Sequence, residues 1–269
     1  MATTREAETG GVGADLAAAL PEADRFRWLL GLVVPALLVV VWHLLVATGV
    51  FAAHQLPQPL RVVETLYGMA ATGELWGHIA ITLQRVFFGT LLGVSVGIVL
   101  GTITGLYGLA QDLLDPLFQS LKNIPSLAWV PLFLLWFGIG ESAKVLLIAV
   151  GAFFPVYLNL STGIGNVSED LLEVAEVYDL GRFESLRRVV FPAAVPSLLV
   201  GIRGGVGLAW MFVVAAELIA ASEGIGFLLN DGRVLARPDI IVGSILLFAF
   251  FGNLSDLAVK EVEQRVVDW

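Results

Sequence analysis

Long uncharged apolar stretches recur along the chain and predict membrane-spanning helices. A helix needs about 20 apolar residues to cross the hydrocarbon core of a bilayer. Six stretches reach or approach this length, and a single charge, Arg203, interrupts the fifth. The predicted spans are residues 29–53, 86–111, 123–140, 145–168, 189–216 and 240–255.

The third span differs from the others because it contains Pro125 and Pro131. Proline lacks a backbone N–H and kinks a helix when it lies in the interior. We therefore expect one kinked helix that begins near Asp115. The resulting organisation is a mobile acidic cytoplasmic tail (1–27), a first transmembrane helix (28–53), an external connection (54–82) and a core of helices (83–269).

Composition supports an all-α integral membrane protein and narrows its chemistry. Hydrophobic residues make up 57% of the 269 positions and charged residues 14%, against about 25% charged in soluble domains. A net charge of −9 argues against a nucleic-acid partner. The sequence has no cysteine, three histidines without zinc-site spacing, and no phosphate-binding loop. We therefore expect no catalytic, metal or cofactor site, and no intramembrane enzyme.

The distribution of Lys and Arg predicts orientation, because cytoplasmic loops are enriched in both residues. With the N-terminus inside, eight cations lie in the cytoplasm and five outside. This bias predicts cytoplasmic termini. The inside set is Arg5, Arg25, Arg27, Arg182, Arg187, Arg188, Lys260 and Arg265; the outside set is Arg61, Arg85, Lys144, Arg233 and Arg237.

Five glycines repeat every four residues in the second span, at Gly89, Gly93, Gly97, Gly101 and Gly105. On a helix they form a bare ridge that another backbone can approach closely. We interpret the ridge as a packing surface and assign it no chemistry.

Residues 168–192 form the longest predicted cytoplasmic connection. Apolar and acidic residues alternate over 169–177 with the spacing of a short amphipathic helix. A turn at 178–181 and a second amphipathic helix from about Arg182 to Val190 follow, and Pro192 is expected to stop that helix. The pattern predicts a helical hairpin beneath the membrane; by pattern alone it could also be a simple connector.

Several segments resemble one family. Glu173, Ala175 and Phe191–Pro192 lie where the EAA motif of binding-protein-dependent ABC importer permeases places Glu, Ala and Leu-Pro, with matching spacing, and Val189 occupies the usual Ile position. The surrounding sequence from Gln58 onward is similar to the nitrate/sulfonate/taurine-type branch of this permease family. The segments that carry this similarity are IPSLAWVPLFLLWFGIGESAK, IAVGAFFPVYLN, GIRGGVGLAW and AAELIAASEGIGFLL.

The resemblance implies a multi-pass cell-membrane protein of about six spans with type I ABC importer permease architecture. It implies two permease copies, two separate ABC ATPase subunits and an extracytoplasmic solute-binding protein as partners, besides membrane lipid. The hairpin would dock on the ATPase and couple ATP hydrolysis to transport. The implied coupling residues are Leu172, Glu173, Ala175, Val177, Asp179, Gly181, Phe183 and Pro192.

The chain departs from the family motif at one position. The motif places Gly six residues after its Glu, and this chain has Asp179 there, with Gly181 two residues later. A left-handed turn residue is expected at this point, and aspartate tolerates that conformation better than most residues. Either Asp179 adopts it or the turn shifts to Gly181.

Three residues of the fifth span are candidates for the translocation pathway: Arg203, Trp210 and Glu217. An unpaired charge in the membrane interior is costly, so Arg203 should face a carboxylate, the bundle interior or a wet cavity. Trp210 could narrow the pathway or pack against Phe212 and Phe251, and Glu217 could be an interfacial or gate residue.

The implied cargo is a small anion of the nitrate, sulfonate, taurine or bicarbonate class. A vitamin precursor or another organic solute is the alternative within the family. A secondary transporter or channel is a third possibility, although the sequence shows no internal repeat that would favour one.

Overall fold

The computed structural model describes residues 23–52 and 54–266. Most of the predicted acidic tail, residues 1–22, lies outside the described residues. The chain divides into two compact units, one ending at Arg61 and the other beginning at Val62. Every regular element in the described part of the chain is helical, as the sequence predicts.

The first unit contains one long helix, and the second contains the core. The helices are α1 (Ala23–Ala47), α2 (Pro59–Ala71), α3 (Glu74–Leu106), α4 (Gly108–Leu121), α5 (Ser126–Phe137), α6 (Glu141–Gly165), α7 (Glu169–Val177), α8 (Arg182–Ser185), α9 (Phe191–Ala220), α10 (Ile225–Val234) and α11 (Pro238–Val266). A π-helical turn, Leu186–Val190, joins α8 to α9.

Four of the six predicted spans are helices of sufficient length and apolar content to cross a membrane. They are α3, α6, the continuous helix Arg182–Ala220 and α11. The other two predicted spans correspond to shorter apolar helices, Val33–Ala47 within α1 and Ser126–Phe137. In α1 the side chains from Val33 to Val41 are mostly exposed, which suits a surface that faces lipid.

The expectation of one kinked helix from near Asp115 to residue 140 is wrong. The structure has two helices, because α4 already begins at Gly108 and ends at Leu121, and α5 starts anew at Ser126. Pro125 precedes α5 with φ −56° and ψ 142°, outside the helical region. A proline also disfavours helical backbone at the residue before it. Pro131 lies inside α5 without ending it.

The stretch predicted as an external connection, residues 54–82, is largely helical. It contains α2 and the first turns of α3, which begins at Glu74. Leu66 of α2 packs against Gly243 of α11, where an added Cβ would lie 3.0 Å from Leu66 Cδ2. Thr65 Oγ1 donates a hydrogen bond of 2.7 Å to Asp239 Oδ2 at the start of α11.

The glycine ridge of α3 packs directly on α6, which confirms the packing interpretation. A Cβ added at Gly93 would lie 2.3 Å from the carbonyl oxygen of Ala149 and 2.8 Å from Ala152 Cβ. Additions at the other four ridge glycines would come within 2.6–3.0 Å of α6 atoms. The two backbones are therefore as close as glycine alone allows.

Helix α9 uses glycine to approach α6 from another side. A Cβ at Gly201 would lie 2.9 Å from the carbonyl oxygen of Pro155, and one at Gly205 would lie 2.8 Å from that of Ala152. Ala152, Val156 and Leu160 are fully buried as a result. Helix α6 is thus the centre of the described core.

We expect Gly93→Ala to destabilise the protein by about 1–3 kcal/mol, the usual cost of overpacking a tight core. The added methyl would meet backbone atoms of α6, which cannot rotate away. The measurement is thermal or denaturant-induced unfolding of the detergent-solubilised protein. Gly77→Ala is the matched control, because Gly77 lies in the same helix with nothing within 4 Å. It should be neutral or gain about 0.5–1 kcal/mol; equal destabilisation by both variants would contradict the packing account.

Candidate functional site

The predicted helical hairpin is present. Helix α7 (Glu169–Val177) forms its first arm, with Glu169 and Asp170 in the first turn, where carboxylates interact favourably with the helix dipole. Helix α8 and the π-helical turn form the second arm. Helix α7 begins one residue after the predicted start of the hairpin at 168.

Asp179 adopts the left-handed turn conformation, with φ 52°, whereas Gly181 has φ −61°. The Leu180 N–H donates to the carbonyl oxygen of Ala175 at 3.0 Å, and the Asp179 N–H donates to that of Glu176 at 2.9 Å. This pair of bonds is the Schellman ending of a helix. The turn therefore stays at the position where the family motif has glycine and does not shift.

The expectation that Pro192 stops the second arm is wrong. The helix continues from Arg182 to Ala220 through the π-helical turn. The Phe191 N–H donates to the carbonyl oxygen of Leu186, five residues earlier, so the widened turn carries the chain past the proline. Pro192 itself occupies the first turn of α9, where a missing N–H is tolerated. The hairpin arm and the fifth span are one continuous helix.

The hairpin buries one face and exposes the other. Ala175 is 3% exposed, and Val190 packs into a buried cluster with Leu160 and Ile164. Glu173 and Val177 point about 160° away from Ala175 around the helix axis. Several large apolar side chains remain exposed here, including three that are not among the predicted coupling residues, Leu171, Val174 and Tyr178. The exposed set is Leu171, Leu172, Val174, Val177, Tyr178 and Phe183.

A second constellation is a charge network between α3, α6 and α9, in which Arg85, Lys144 and Glu217 are buried and the side chain of Glu141 is 53% exposed. Arg85 is 2% exposed and donates from Nε and Nη2 to both oxygens of Glu141, each at 2.7 Å. Its Nη1 donates to Glu217 Oε1 at 2.7 Å and to the carbonyl oxygen of Glu223 at 2.6 Å. Lys144 Nζ donates to Glu141 Oε1 at 2.7 Å. Two positive and two negative charges therefore balance.

This network corrects the placement of two cations. Arg85 and Lys144 were counted among external connections, yet both are buried within α3 and α6. The partners of Arg85 are far away in the sequence, since Glu141 follows it by 56 residues and Glu217 by 132, whereas Lys144 pairs with Glu141 three residues earlier. One general rule could have indicated a carboxylate partner for each of these cations: buried charges in proteins are paired and hydrogen-bonded.

Glu217 organises the loop that follows α9. Its carboxylate accepts hydrogen bonds from Thr82 Oγ1 and from the Gly226 N–H, the latter at 2.8 Å. A Cβ at Gly224, which has φ 121°, would lie 2.5 Å from this carboxylate. The Ile225 N–H donates to Thr82 Oγ1 at 2.8 Å. Glycine at 224 and 226 therefore lets the loop wrap around the buried carboxylate.

The three predicted pathway residues have different surroundings. Glu217 is 1% exposed, and Trp210 is 7% exposed. Trp210 packs against Phe248 with ring centroids 6.1 Å apart, and its Nε1 donates to Ser255 Oγ at 3.2 Å. Phe212 and Phe251, its predicted partners, belong to the same apolar cluster.

Arg203, by contrast, is partly exposed and forms a bidentate ion pair with Asp256 of α11. Nε donates to Oδ1 at 2.6 Å and Nη2 to Oδ2 at 2.8 Å. The two side chains are 42% and 40% exposed. The sequence had placed a carboxylate among the expected partners of Arg203 but had not identified Asp256.

Comparisons with known proteins agree with the geometry. The family model described as the binding-protein-dependent transport system inner membrane component matches residues 93–268. The putative aliphatic sulfonates transport permease protein SsuC of Bacillus subtilis is 39% identical over 93% of this chain and 90% of its own length. The taurine transport system permease protein TauC of Escherichia coli is 32% identical over 87% of each chain.

Two further similarities extend the picture. The nitrate import permease protein NrtB of Leptolyngbya laminosa is 32% identical over 95% of this chain and 90% of its own length. Among solved structures, an inward-facing conformation of the MetNI methionine ABC transporter has a TM-score of 0.58 at 18% identity. The alignment covers 71% of this chain and 94% of the transporter chain. At this identity the similarity supports the fold alone.

We expect Arg85→Met to lower stability by about 3–5 kcal/mol, because it leaves the buried Glu217 carboxylate without its cation. Glu217→Gln should cost less, since Arg85 keeps both bonds to Glu141. Unfolding of the purified protein measures both. The control is Arg265→Met, which breaks an exposed pair with Glu261 and should change stability by at most about 1 kcal/mol. Equal effects of the Arg85 and Arg265 variants would refute the network's structural role.

Asp179→Gly should stabilise the hairpin by up to about 1 kcal/mol, because glycine adopts the left-handed conformation without a Cβ penalty. Hydrogen exchange of peptides spanning 169–190 measures the change as slower exchange of the amides that close the turn. Gly181→Ala serves as the comparison, since Gly181 has φ −61° and open space around it. Faster exchange in Asp179→Gly would show that the aspartate side chain itself holds the turn.

Proposed function

The chain belongs to the family of binding-protein-dependent transport system inner membrane components, and from that premise we propose that two copies form a central pathway for a small anion. The chain is an ABC importer permease subunit, and it is not an enzyme. ATP hydrolysis belongs to a separate ATPase subunit, and importers of this family also work with a solute-binding protein. The permease chain is located in the inner membrane.

The proposed cargo is a sulfonate, taurine, nitrate or bicarbonate. Relatives named for sulfonates, taurine and nitrate support this class, and a half-exposed arginine within a span supports an anion. A vitamin precursor or other organic solute is the alternative within the family.

The observation that carries the coupling proposal is the exposed hairpin and its continuity with the fifth span. Leu172, Val177 and Phe183 leave apolar surface uncovered, and Glu173 adds a carboxylate that can pair with a basic side chain of the ATPase. Ala175, Asp179 and Gly181 shape the hairpin. Pro192 lies where the hairpin arm enters the membrane helix, so a push on the hairpin moves that helix. Two copies would engage two ATPase subunits.

Cytoplasmic termini follow from the same proposal, because the ATPase is cytosolic and the hairpin must face it. The burial of Arg85 and Lys144 also supports this orientation, since it removes two cations from the external loops and strengthens the positive-inside bias.

We assign the three pathway candidates different parts. Arg203 would line the pathway, because it is half-exposed within a span. Trp210 would form the wall behind it between α9 and α11, and Glu217 would fix the external loop at the end of α9. Asn230 and Arg233 of α10, on the same external side, would face the binding protein.

The experiment is reconstitution of the permease with its ATPase and binding protein in proteoliposomes, followed by uptake of labelled taurine, ethanesulfonate, nitrate and bicarbonate. Uptake that requires ATP supports the importer, whereas uptake that proceeds equally without ATP would indicate a secondary transporter or channel. ATP-dependent uptake of an organic cofactor precursor with no anion uptake would favour the alternative cargo.

We expect Glu173→Arg to leave the protein inserted but to abolish both copurification with the ATPase and ATP-driven uptake, because it reverses the charge at the centre of the exposed hairpin face. The matched control is Glu261→Arg, a charge reversal at another exposed glutamate. That variant should retain the ATPase. Normal uptake by Glu173→Arg would remove Glu173 from the coupling surface.

A further inference from the structure

Arg85 of α3 and Arg203 of α9 lie in different environments. Arg85 is buried and donates to three carboxylate oxygens and one carbonyl oxygen. Arg203 is half-exposed, and one carboxylate, Asp256, engages Nε and Nη2. Within the described residues, Nη1 of Arg203 has no acceptor. Among the described residues, Arg85 therefore uses four of its five N–H donors, whereas Arg203 uses two of its five.

The exposed side of the Arg203 pair is unsuited to lipid. Arg203 is about 18 Å along α9 from Phe191, close to the middle of that helix. Charged side chains at this depth face water, a cavity or another protein surface because hydrocarbon solvates them poorly. The helix surface beside the guanidinium is also bare, because Gly204 and Gly207 are exposed and a Cβ at Gly207 would meet nothing within 4 Å.

The chemistry of the pair suggests what else binds there. A guanidinium presents parallel N–H donors that match two oxygens of a carboxylate, and sulfonate, nitrate and bicarbonate offer the same paired oxygens. Asp256 thus holds Arg203 in the manner that a transported oxyanion would. A transport site must also release its cargo, so binding has to be weak enough to reverse. A competing internal carboxylate provides that weakness.

We propose that Arg203 is the oxyanion-binding side chain of the pathway and that Asp256 is its internal competitor, which occupies the guanidinium until an anion displaces it. The proposal rests on the proposed function and deepens it. Asp256 then sets affinity, because it prevents the arginine from trapping an anion.

The first experiment measures equilibrium binding of labelled ethanesulfonate to the permease–ATPase complex in nanodiscs, without the binding protein. Asp256→Asn should bind the anion at least about tenfold more tightly than wild type, because the guanidinium loses its competitor. The same variant should turn over more slowly in proteoliposomes. Arg203→Gln should lose binding, and so should the neutral double variant. Glu261→Gln, from the exposed Glu261–Arg265 pair of α11, is the control and should match wild type.

A merely structural ion pair gives a different result. If the pair only clamps α9 to α11, both single variants should weaken binding and thermal stability together, and that outcome would overturn the proposal. Unchanged anion binding in Asp256→Asn would also overturn it. Failure of the proposed function is separate, since wild-type complex would then show no ATP-dependent uptake of any anion tested.

A second measurement needs no transport and exploits the absence of cysteine from the sequence. Asp256→Cys in the complete complex should react with water-borne methanethiosulfonates, and faster with the anionic ethylsulfonate reagent than with the cationic trimethylammonium reagent, because Arg203 is then unpaired. Leu37→Cys, in the uncharged exposed part of α1, is the control and should be unreactive. An Asp256→Cys variant as inert as this control would show that the pair does not face water.

Discussion

Close contact between glycine-bearing backbones sets the geometry of the core. In lipid, helices gain little from hydrophobic burial against each other, so association relies on van der Waals contact and hydrogen bonds. Gly93 of α3 and Gly205 of α9 both approach Ala152 of α6, to within distances that exclude a side chain. These contacts fix the distances of α3 and α9 from α6. The charge network around Arg85 fixes the three helices in register at one end.

The sequence predicted features that depend on local pattern. The apolar runs located the four long spans, the four-residue glycine interval indicated a packing surface on α3, and the amphipathic pattern of 169–177 predicted the first hairpin arm. Each of these signals is complete within one segment, because helix formation and facing depend on neighbours three and four residues apart. The sequence left open whether Asp179 or Gly181 adopts the left-handed turn conformation, and the backbone dihedral angles decided it.

Features that depend on tertiary context were mispredicted or missed. Both errors about proline arose from treating it as a fixed signal: Pro125 immediately precedes a new helix, whereas a π-helical turn carries the chain past Pro192. The partners of Arg85 and Arg203 were missed because they lie on other helices. Charge balance offered a partial signal, since a buried arginine requires a carboxylate and Asp256 directly follows the predicted sixth span.

The unbroken helix from Arg182 to Ala220 has a mechanical consequence. It behaves as a lever whose short end is the cytoplasmic hairpin. A tilt of about 5° at Val190 would displace the backbone at Arg203 by roughly 1.7 Å, given a rise of about 1.5 Å per residue. Unless the side chains follow, hydrogen bonds of 2.6 and 2.8 Å are lost on a displacement of that size. A small tilt of this helix at its cytoplasmic end could thus break and re-form the Arg203–Asp256 ion pair, without any rearrangement inside the helix.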